Sequence, residues 1–195
     1  MAPPLAFALW TTLGRGTARG SVGRVNGPPY ATSPRAPLRA QLDCPATWRV
    51  AVAATLAAAG VVLDDAAPVG VAVSPGRLVS PVVDDWSVAS LPHLLVAVQP
   101  YAVEVGPWSL PGVGPCARCV AAAVLDSGQP APAGDPPRPL LALAAGAAAR
   151  DLGAWGRGEP PHSWLMSWRH DHEPLPTARR WERHPYCGCA WFETA

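Results

Sequence analysis

Lysine and isoleucine are absent from this 195-residue chain, and asparagine occurs once, at Asn26. No fold excludes lysine, so the gap reflects a GC-rich codon bias acting on composition, and every basic side chain is arginine. Charge is scarce as well. Charged residues make up 15% of the chain, against roughly 25% in an average domain. A formal net charge of +1 removes the electrostatic case for nucleic acid or an anionic membrane as partner. Long apolar runs are missing too: Val50 to Leu63 and Leu140 to Ala149 both fall short of the roughly 20 residues that span a bilayer. The opening Met1 to Trp10 has no positive n-region, and its arginines come only after the apolar stretch. That is a poor secretion signal. A cytoplasmic protein without a membrane or nucleic-acid partner is the expectation.

What the chain does have is 49% hydrophobic residues and a mean hydropathy of +0.12, enough apolar surface for a globular core. Pro (25) and Gly (18) are abundant, so irregular segments are expected beside it. Arg15, Arg19, Arg24, Arg35 and Arg39 precede the first acidic residue, Asp43, in a stretch punctuated by Gly, Pro, Ser and Thr. This predicts a weakly ordered basic arm over residues 1–47 and a folded domain over 48–195; a docking arm for an acidic partner is the sharper reading. Gly14, Gly16 and Gly20 miss the dinucleotide fingerprint by one residue and follow no β-branched strand, so no nucleotide site is expected there.

From Trp48 to Ala59 the pattern predicts a helix with Val50, Ala53, Ala54 and Ala57 on one face and Gly60 just past its end. Val61 to Leu63 reads as a short buried strand, and Val69 to Val73 and Leu78 to Val83 as two more. Leu94 to Val98 is the clearest buried strand. Tyr101 to Val105 alternates, which predicts a half-exposed strand ended by Gly106-Pro107. A Pro/Gly/Asp loop over 126–138 leads to an Ala-rich helix from Leu140 to Trp155. Trp164, Met166 and Trp168 then alternate with polar or smaller residues, and Thr177 to His184 returns as the second arm of a terminal β-ribbon. The layout is α/β.

The cysteines carry the chemistry. Cys116-Ala-Arg-Cys119 and Cys187-Gly-Cys189 each sit beside turn formers, and two such pairs can supply a closed tetrahedral S4 shell that suits Zn²⁺. With four protein ligands no position is left for an activated water, so the metal would be structural. A dithiol redox pair and unrelated buried cysteines are the alternatives. Cys44 has no partner nearby in sequence and reads as a plain small residue.

Other polar residues invite weaker readings. His170, His172 and Glu173 form a possible second metal set, against a solvated turn. His184 could orient a ligand sulfur or be an ordinary structural histidine. Asp84-Asp85 end a β-type run, where an open α/β sheet places functional groups, but with no phosphate loop in sight an N-cap or loop role is favoured. No Ser/His/Asp or Cys/His catalytic set stands out.

Three segments resemble a known family when taken together: Pro92-His-Leu-Leu-Val-Ala-Val, Val105-Gly-Pro-Trp-Ser-Leu-Pro-Gly, and Gly114-Pro-Cys-Ala-Arg-Cys. With the Ala-rich helix and the ending Trp181-Glu-Arg-His-Pro-Tyr-Cys-Gly-Cys-Ala, they are similar to the second half of ThiF/ubiquitin-activating-like proteins. More narrowly they resemble the partner proteins of YcaO cyclodehydratases, which help make thiazole- and oxazole-modified peptides. The resemblance covers about the C-terminal 110 residues.

The resemblance implies a truncated ThiF-like, Rossmann-related domain with a C-terminal β-ribbon and a structural zinc on Cys116, Cys119, Cys187 and Cys189. It implies a YcaO-type enzyme and a precursor peptide as partners, in chemistry where ATP activates a backbone amide and a Cys, Ser or Thr side chain cyclises with loss of water. The family's N-terminal leader-binding module has little room in 195 residues, and residues 1–47 do not read like one. Adenylating relatives carry a glycine-rich nucleotide loop, of whose contacts only Asp84 or Asp85 could be a remnant. The expected function is therefore that of a zinc-stabilised partner protein without independent adenylation. A small ThiF-type adenylyltransferase and a zinc-ribbon interaction module are the alternatives.

Overall fold

Short runs of Val and Leu separated by Pro- and Gly-bearing turns build one mixed sheet. The computed structural model describes residues 37–77, 79–110, 112–128 and 134–189. Its elements are β1 (Leu38–Asp43), α1 (Ala46–Ala58), β2 (Val61–Leu63), β3 (Gly70–Pro75), α2 (Pro81–Val88), β4 (His93–Gln99), β5 (Ala102–Ser109), α3 (Ala117–Asp126), α4 (Arg138–Gly156), β6 (Met166–His170) and β7 (Thr177–Arg180). The sheet order is β2-β1-β3-β4-β5-β6-β7. Strands β2, β1, β3 and β4 run parallel, while β4 to β7 form an antiparallel meander. The expected α/β layout is present, and the terminal ribbon is the β6–β7 edge of this same sheet.

The boundary of the basic arm needs correcting. Leu38–Asp43, assigned to it from composition, is a strand paired on both sides, with β2 and with β3. It lacks β-branched residues, so propensity does not reveal it; Ala40 and Leu42 are buried in the core with Leu38 packed beside them, and its neighbours in the sheet supply the rest. Arg39 pairs with Asp64 at 2.7 Å, so one of the arginines attributed to the arm is engaged by the domain. Residues 1–36, with Gly14, Gly16 and Gly20, lie outside the described residues.

Three further expectations change for physical reasons. Helix α1 ends as expected, with Gly60 at φ +84°, but it buries Trp48, Val52 and Leu56 and leaves Val50 81% exposed. The larger side chains at i, i+4 and i+8 decide the face. Of the run Leu78 to Val83, the described residues 79–83 form no strand. Pro81 opens α2, and the Ser80 side chain accepts from the Val83 amide as an N-cap; these start signals override the β propensity of Val82 and Val83. Strand β5 is neither half-exposed nor ended at Gly106. It continues to Ser109 and is buried along its whole length, because β4 and β6 flank it and both sheet faces are covered there. Gly106, at φ +105°, lies so close to the Met166 carbonyl oxygen and the Ser163 Cβ that no side chain fits.

Helices α1 and α4 cover one face, meeting Leu42, Val71, Leu94, Val96 and Val103 in the main core. Trp108 stacks on Trp155 of α4 with ring centroids 5.2 Å apart. Side chains of this size contribute about 1.5–3 kcal/mol each when fully buried, so this face carries most of the stability. Asp151, fully buried in α4, ties the helix to the start of the ribbon by accepting from the Ser163 amide at 2.9 Å.

The other face is covered more thinly. Helices α2 and α3 are short, and their cluster consists of Ala72, Val83, Trp86 and Ala117 with Val79, Leu91 and Leu95 alongside. The remainder is closed by the segment after β7. Trp181 is buried and donates its indole N–H to Ser167 Oγ at 2.7 Å. The guanidinium groups of Arg77 and Arg179 lie over its ring at 4.5 and 4.0 Å. Beneath it Arg77 and Glu104 form a buried ion pair, and Glu104 also accepts from Ser167. Among the described residues no helix is long and apolar enough to cross a membrane.

Candidate metal centre

Helix α3 is the platform. The turn ahead of it holds Gly112 and Gly114, both at φ near +80°, and a Cβ on Gly114 would collide with Leu165 of the ribbon. Pro115 follows, and Cys116 takes the N-cap position with an extended backbone. Cys119 lies three residues on, in the first turn, where the helix N-terminus favours negative charge. The turn expected beside this pair is present, and it launches a helix that carries both sulfurs.

The second pair arrives on the segment 181–189, which crosses the thinly covered sheet face from β7. Cys116 Sγ lies 3.6 Å from Cys119 Sγ and 3.5 Å from Cys187 Sγ, and Cys119 Sγ lies 3.3 Å from Cys189 Sγ. All four sulfurs fall within 4.8 Å of one another. Cys119 is buried and the other three are half-buried. Among the described residues this is the one group of three or more candidate ligands that converges.

The donor set fits a soft or borderline cation. Zn–S bonds of about 2.3 Å in a tetrahedron hold the sulfurs about 3.8 Å apart, close to the separations seen. The thiol chemistry agrees. Burial pushes the Cys116 thiol well above its ordinary value, helped by the charge at Cys119. Burial likewise raises Cys189, to about 11. At Cys187 burial works the same way, but hydrogen bonds from the Cys189 amide and the neighbouring thiols outweigh it and lower the thiol. Four such sulfurs cannot all ionise side by side without a cation. Four protein ligands close the shell, so the cluster can hold an ion but leaves no position for a substrate.

The residues around the cluster were less legible. Arg118, between the two helical cysteines, makes a bidentate pair with Asp84 of α2 at 2.8 and 3.0 Å, binding α2 to the cysteine-bearing helix. Asp84 is thus a first-turn acid, and Asp85 is exposed on the same helix. His184 does not touch a sulfur; its Nε2 lies 2.8 Å from Asp126 at the end of α3. Arg183 donates to the Gly114 and Gly112 carbonyls at 3.0 and 2.6 Å. Their adjacency to Cys187 in Arg-His-Pro was the only signal available. His172 pairs with its neighbour Glu173 at 3.3 Å on an exposed turn, and His170 does not join them. Cys44 stands apart, its thiol pushed up to about 11 by burial, which suits an inert small residue.

A second concave feature lies at the carboxyl ends of β1 and β3. The chain leaves β1 toward β2 and returns on its other side as β3, and open α/β sheets bind ligands at such a reversal. Asp43, Ser74, Arg77 and Ser80 line the cleft, with Ala117 and Val120 of α3 beside them. Asp43 accepts from the Ser80 hydroxyl. The connection from β1 into α1 is Asp43-Cys44-Pro45 and contains no glycine.

No protein-family model and no curated protein matches the chain. Solved structures do. A heterocyclase in complex with substrate and cofactor superposes with a TM-score of 0.60 at 17% identity, over 78% of this chain and 25% of that one. The heterocyclase TruD gives 0.60 at 19% identity, over 78% of this chain and 27% of its own length. Escherichia coli MccB with ATP gives 0.50 at 18% identity, over 67% and 46%. At these identities the likeness is one of fold, and the chain spans about a quarter of the length of the two heterocyclases.

Proposed function

We propose that this chain is a non-catalytic partner of a YcaO-type cyclodehydratase in the biosynthesis of azole-modified, ribosomally made peptides. It would dock the enzyme and help present the precursor. The observation that carries this reading is the superposition of 78% of the chain on heterocyclases. The Cys-Ala-Arg-Cys and Arg-His-Pro-Tyr-Cys-Gly-Cys segments, which carry the family resemblance in sequence, form a single cluster on that fold. Cys116, Cys119, Cys187 and Cys189 would hold a structural zinc, which supplies a cross-link between α3 and the segment after β7.

The β1–α1 connection supports a non-adenylating role. Phosphates bind at this turn in related sheets because glycines let the backbone approach and the helix N-terminus attracts the anion. Here Asp43 places a carboxylate there, Pro45 removes an amide N–H, and Trp48 fills the first turn with its indole N–H on Asp135 at 3.0 Å. The cleft beside Arg77 is what favours the second reading, a ThiF-type adenylyltransferase.

Reconstitution tests the choice. The purified chain alone is expected to give no ATP–pyrophosphate exchange. Added to a YcaO-type enzyme and a Cys/Ser/Thr-containing precursor, it is expected to accelerate loss of one water mass per ring. Exchange by the isolated chain would establish the adenylyltransferase instead, and an unchanged cyclisation rate would remove the partner role.

A further inference from the structure

We propose that Arg183 and His184 are the positioning residues of the metal centre, gripping the α3 unit at both ends so that Cys187 and Cys189 meet Cys116 and Cys119. The inference rests on the metal reading above and concerns the chain's own contribution to it.

Cys187 lies in irregular backbone and Cys189 in a short 3₁₀ stretch at residues 188–189, so no α-helix or strand places them. The segment 181–186 that delivers them contains only turn and irregular backbone, and 67 residues separate Cys119 from Cys187. A free segment of that kind presents its sulfurs in many arrangements, and an ion binding it must first select one. The structure supplies the selection through two consecutive side chains. Arg183 reaches to one end of α3, donating Nε–H to the Gly114 carbonyl at 3.0 Å and Nη2–H to the Gly112 carbonyl at 2.6 Å. Those carbonyls belong to the turn that sets Cys116 at the N-cap.

His184 reaches to the other end, with Nε2 at 2.8 Å from the Asp126 carboxylate, on the last residue of α3. Its Nδ1 faces the Tyr186 amide at 3.4 Å, which assigns the ring proton to Nε2. The Cys187 amide then donates to the His184 carbonyl at 3.0 Å, so the turn bearing the third sulfur hangs from the residue that holds Asp126. Trp181, buried two residues before Arg183, anchors the start of the segment. Arginine is suited to its post because a planar fork of donors satisfies two carbonyls at once, which an ammonium on a flexible stem does not do with fixed geometry.

Ordinary structural support would alter folding; positioning alters how tightly the folded chain takes an ion. The test therefore reads metal affinity in the reduced 195-residue chain, by competition for Zn²⁺ with a chromogenic chelator and by the d–d absorption of bound Co²⁺. Arg183→Met is expected to weaken Zn²⁺ binding about 10–100-fold, the range for residues that orient ligands, while one ion per chain and a tetrahedral Co²⁺ spectrum persist. Arg183→Lys is expected to recover only part of the loss. His184→Ala and Asp126→Ala are expected to weaken binding to the same degree as each other, and the double variant no further. Far-UV dichroism of the metal-free variants should match the parent. Should Arg183→Met fail to fold, Asp126→Ala, whose side chain is exposed, carries the test. Parental affinity in Asp126→Ala, or in a folded Arg183→Met, overturns the proposal. A parent chain that takes up neither Zn²⁺ nor Co²⁺ overturns the metal reading, an outcome distinct from the first.

Discussion

Cys119 Sγ and Cys189 Sγ lie 3.3 Å apart although 70 positions separate them in the chain, and Cys119 is buried in α3 while Cys189 sits in a short 3₁₀ stretch that follows turn and irregular backbone. The pair joins the two parts that cover the thin face of the sheet. An ion held there acts as a cross-link across a loop of about 70 residues, which in the chain-entropy picture stabilises the fold by roughly 4 kcal/mol.

Metal analysis of the reduced chain is expected to give one zinc per molecule. Chelation, or Cys116→Ser, is expected to lower the unfolding free energy by roughly 4 kcal/mol, read from urea denaturation with and without the ion. Unchanged midpoints would mean that the four sulfurs meet without a metal.

The ion pair of Arg77 with Glu104 is buried on both sides, and burial pulls the Arg77 guanidinium below its ordinary value while Glu104 opposes the shift. Glu104→Gln leaves the cation uncompensated and is expected to cost about 3–5 kcal/mol. Replacing both partners with apolar residues of similar size is expected to recover most of that. Denaturant midpoints of the single and double variants check both statements.

His93 is fully buried. Its Nδ1 lies 2.8 Å from the Leu91 carbonyl, and its Nε2 has no hydrogen-bond partner among the described residues. Burial lowers its pKa below 6.5, against the smaller effect of that carbonyl. The unfolded chain therefore binds the proton more tightly. Stability from the neutral ring is complete above about pH 6.5 and falls as pH drops below it, by up to about 1.4 kcal/mol per pH unit until the folded value is reached. His93→Leu is expected to flatten that part of the stability profile between pH 6.5 and 5.

Gly106 and Gly112 share a positive φ but differ in surroundings. A Cβ at Gly106 meets the Met166 carbonyl, whereas one at Gly112 has open space. Gly106→Ala is expected to cost about 3 kcal/mol or more and Gly112→Ala about 1 kcal/mol, measured by thermal or urea unfolding. Equal costs would show that backbone conformation alone governs both sites.

The buried strand Leu94 to Val98, the C′ glycine at 60 and the Ala-rich helix were readable because local chemistry and tertiary setting agree at those positions. The two cysteine pairs were readable because thiols at such spacing have few other uses. Strand β1 shows itself only in the alternation of Leu38, Ala40 and Leu42 with polar residues, a signal that its Arg- and Pro-rich surroundings and lack of β-branched side chains hide. Helix α2 hides behind Val82-Val83 unless Ser80-Pro81 is weighted as a start signal. The buried Arg77–Glu104–Trp181 arrangement joins residues 27 and 77 positions apart, and no local pattern announces it. For the same reason the sequence leaves His184 between a sulfur-orienting and an ordinary structural role: its partner, Asp126, ends a helix that spacing alone does not reveal.

The unequal covering of the two sheet faces has a kinetic consequence. Amides of α4 and of β4 and β5 belong to the densely packed side and should exchange their hydrogens only when the whole molecule unfolds. Those of α2, α3 and segment 181–189 can open together while the Val- and Leu-rich face stays intact. The molecule then has two lifetimes, and an ion at the four sulfurs lengthens the shorter one.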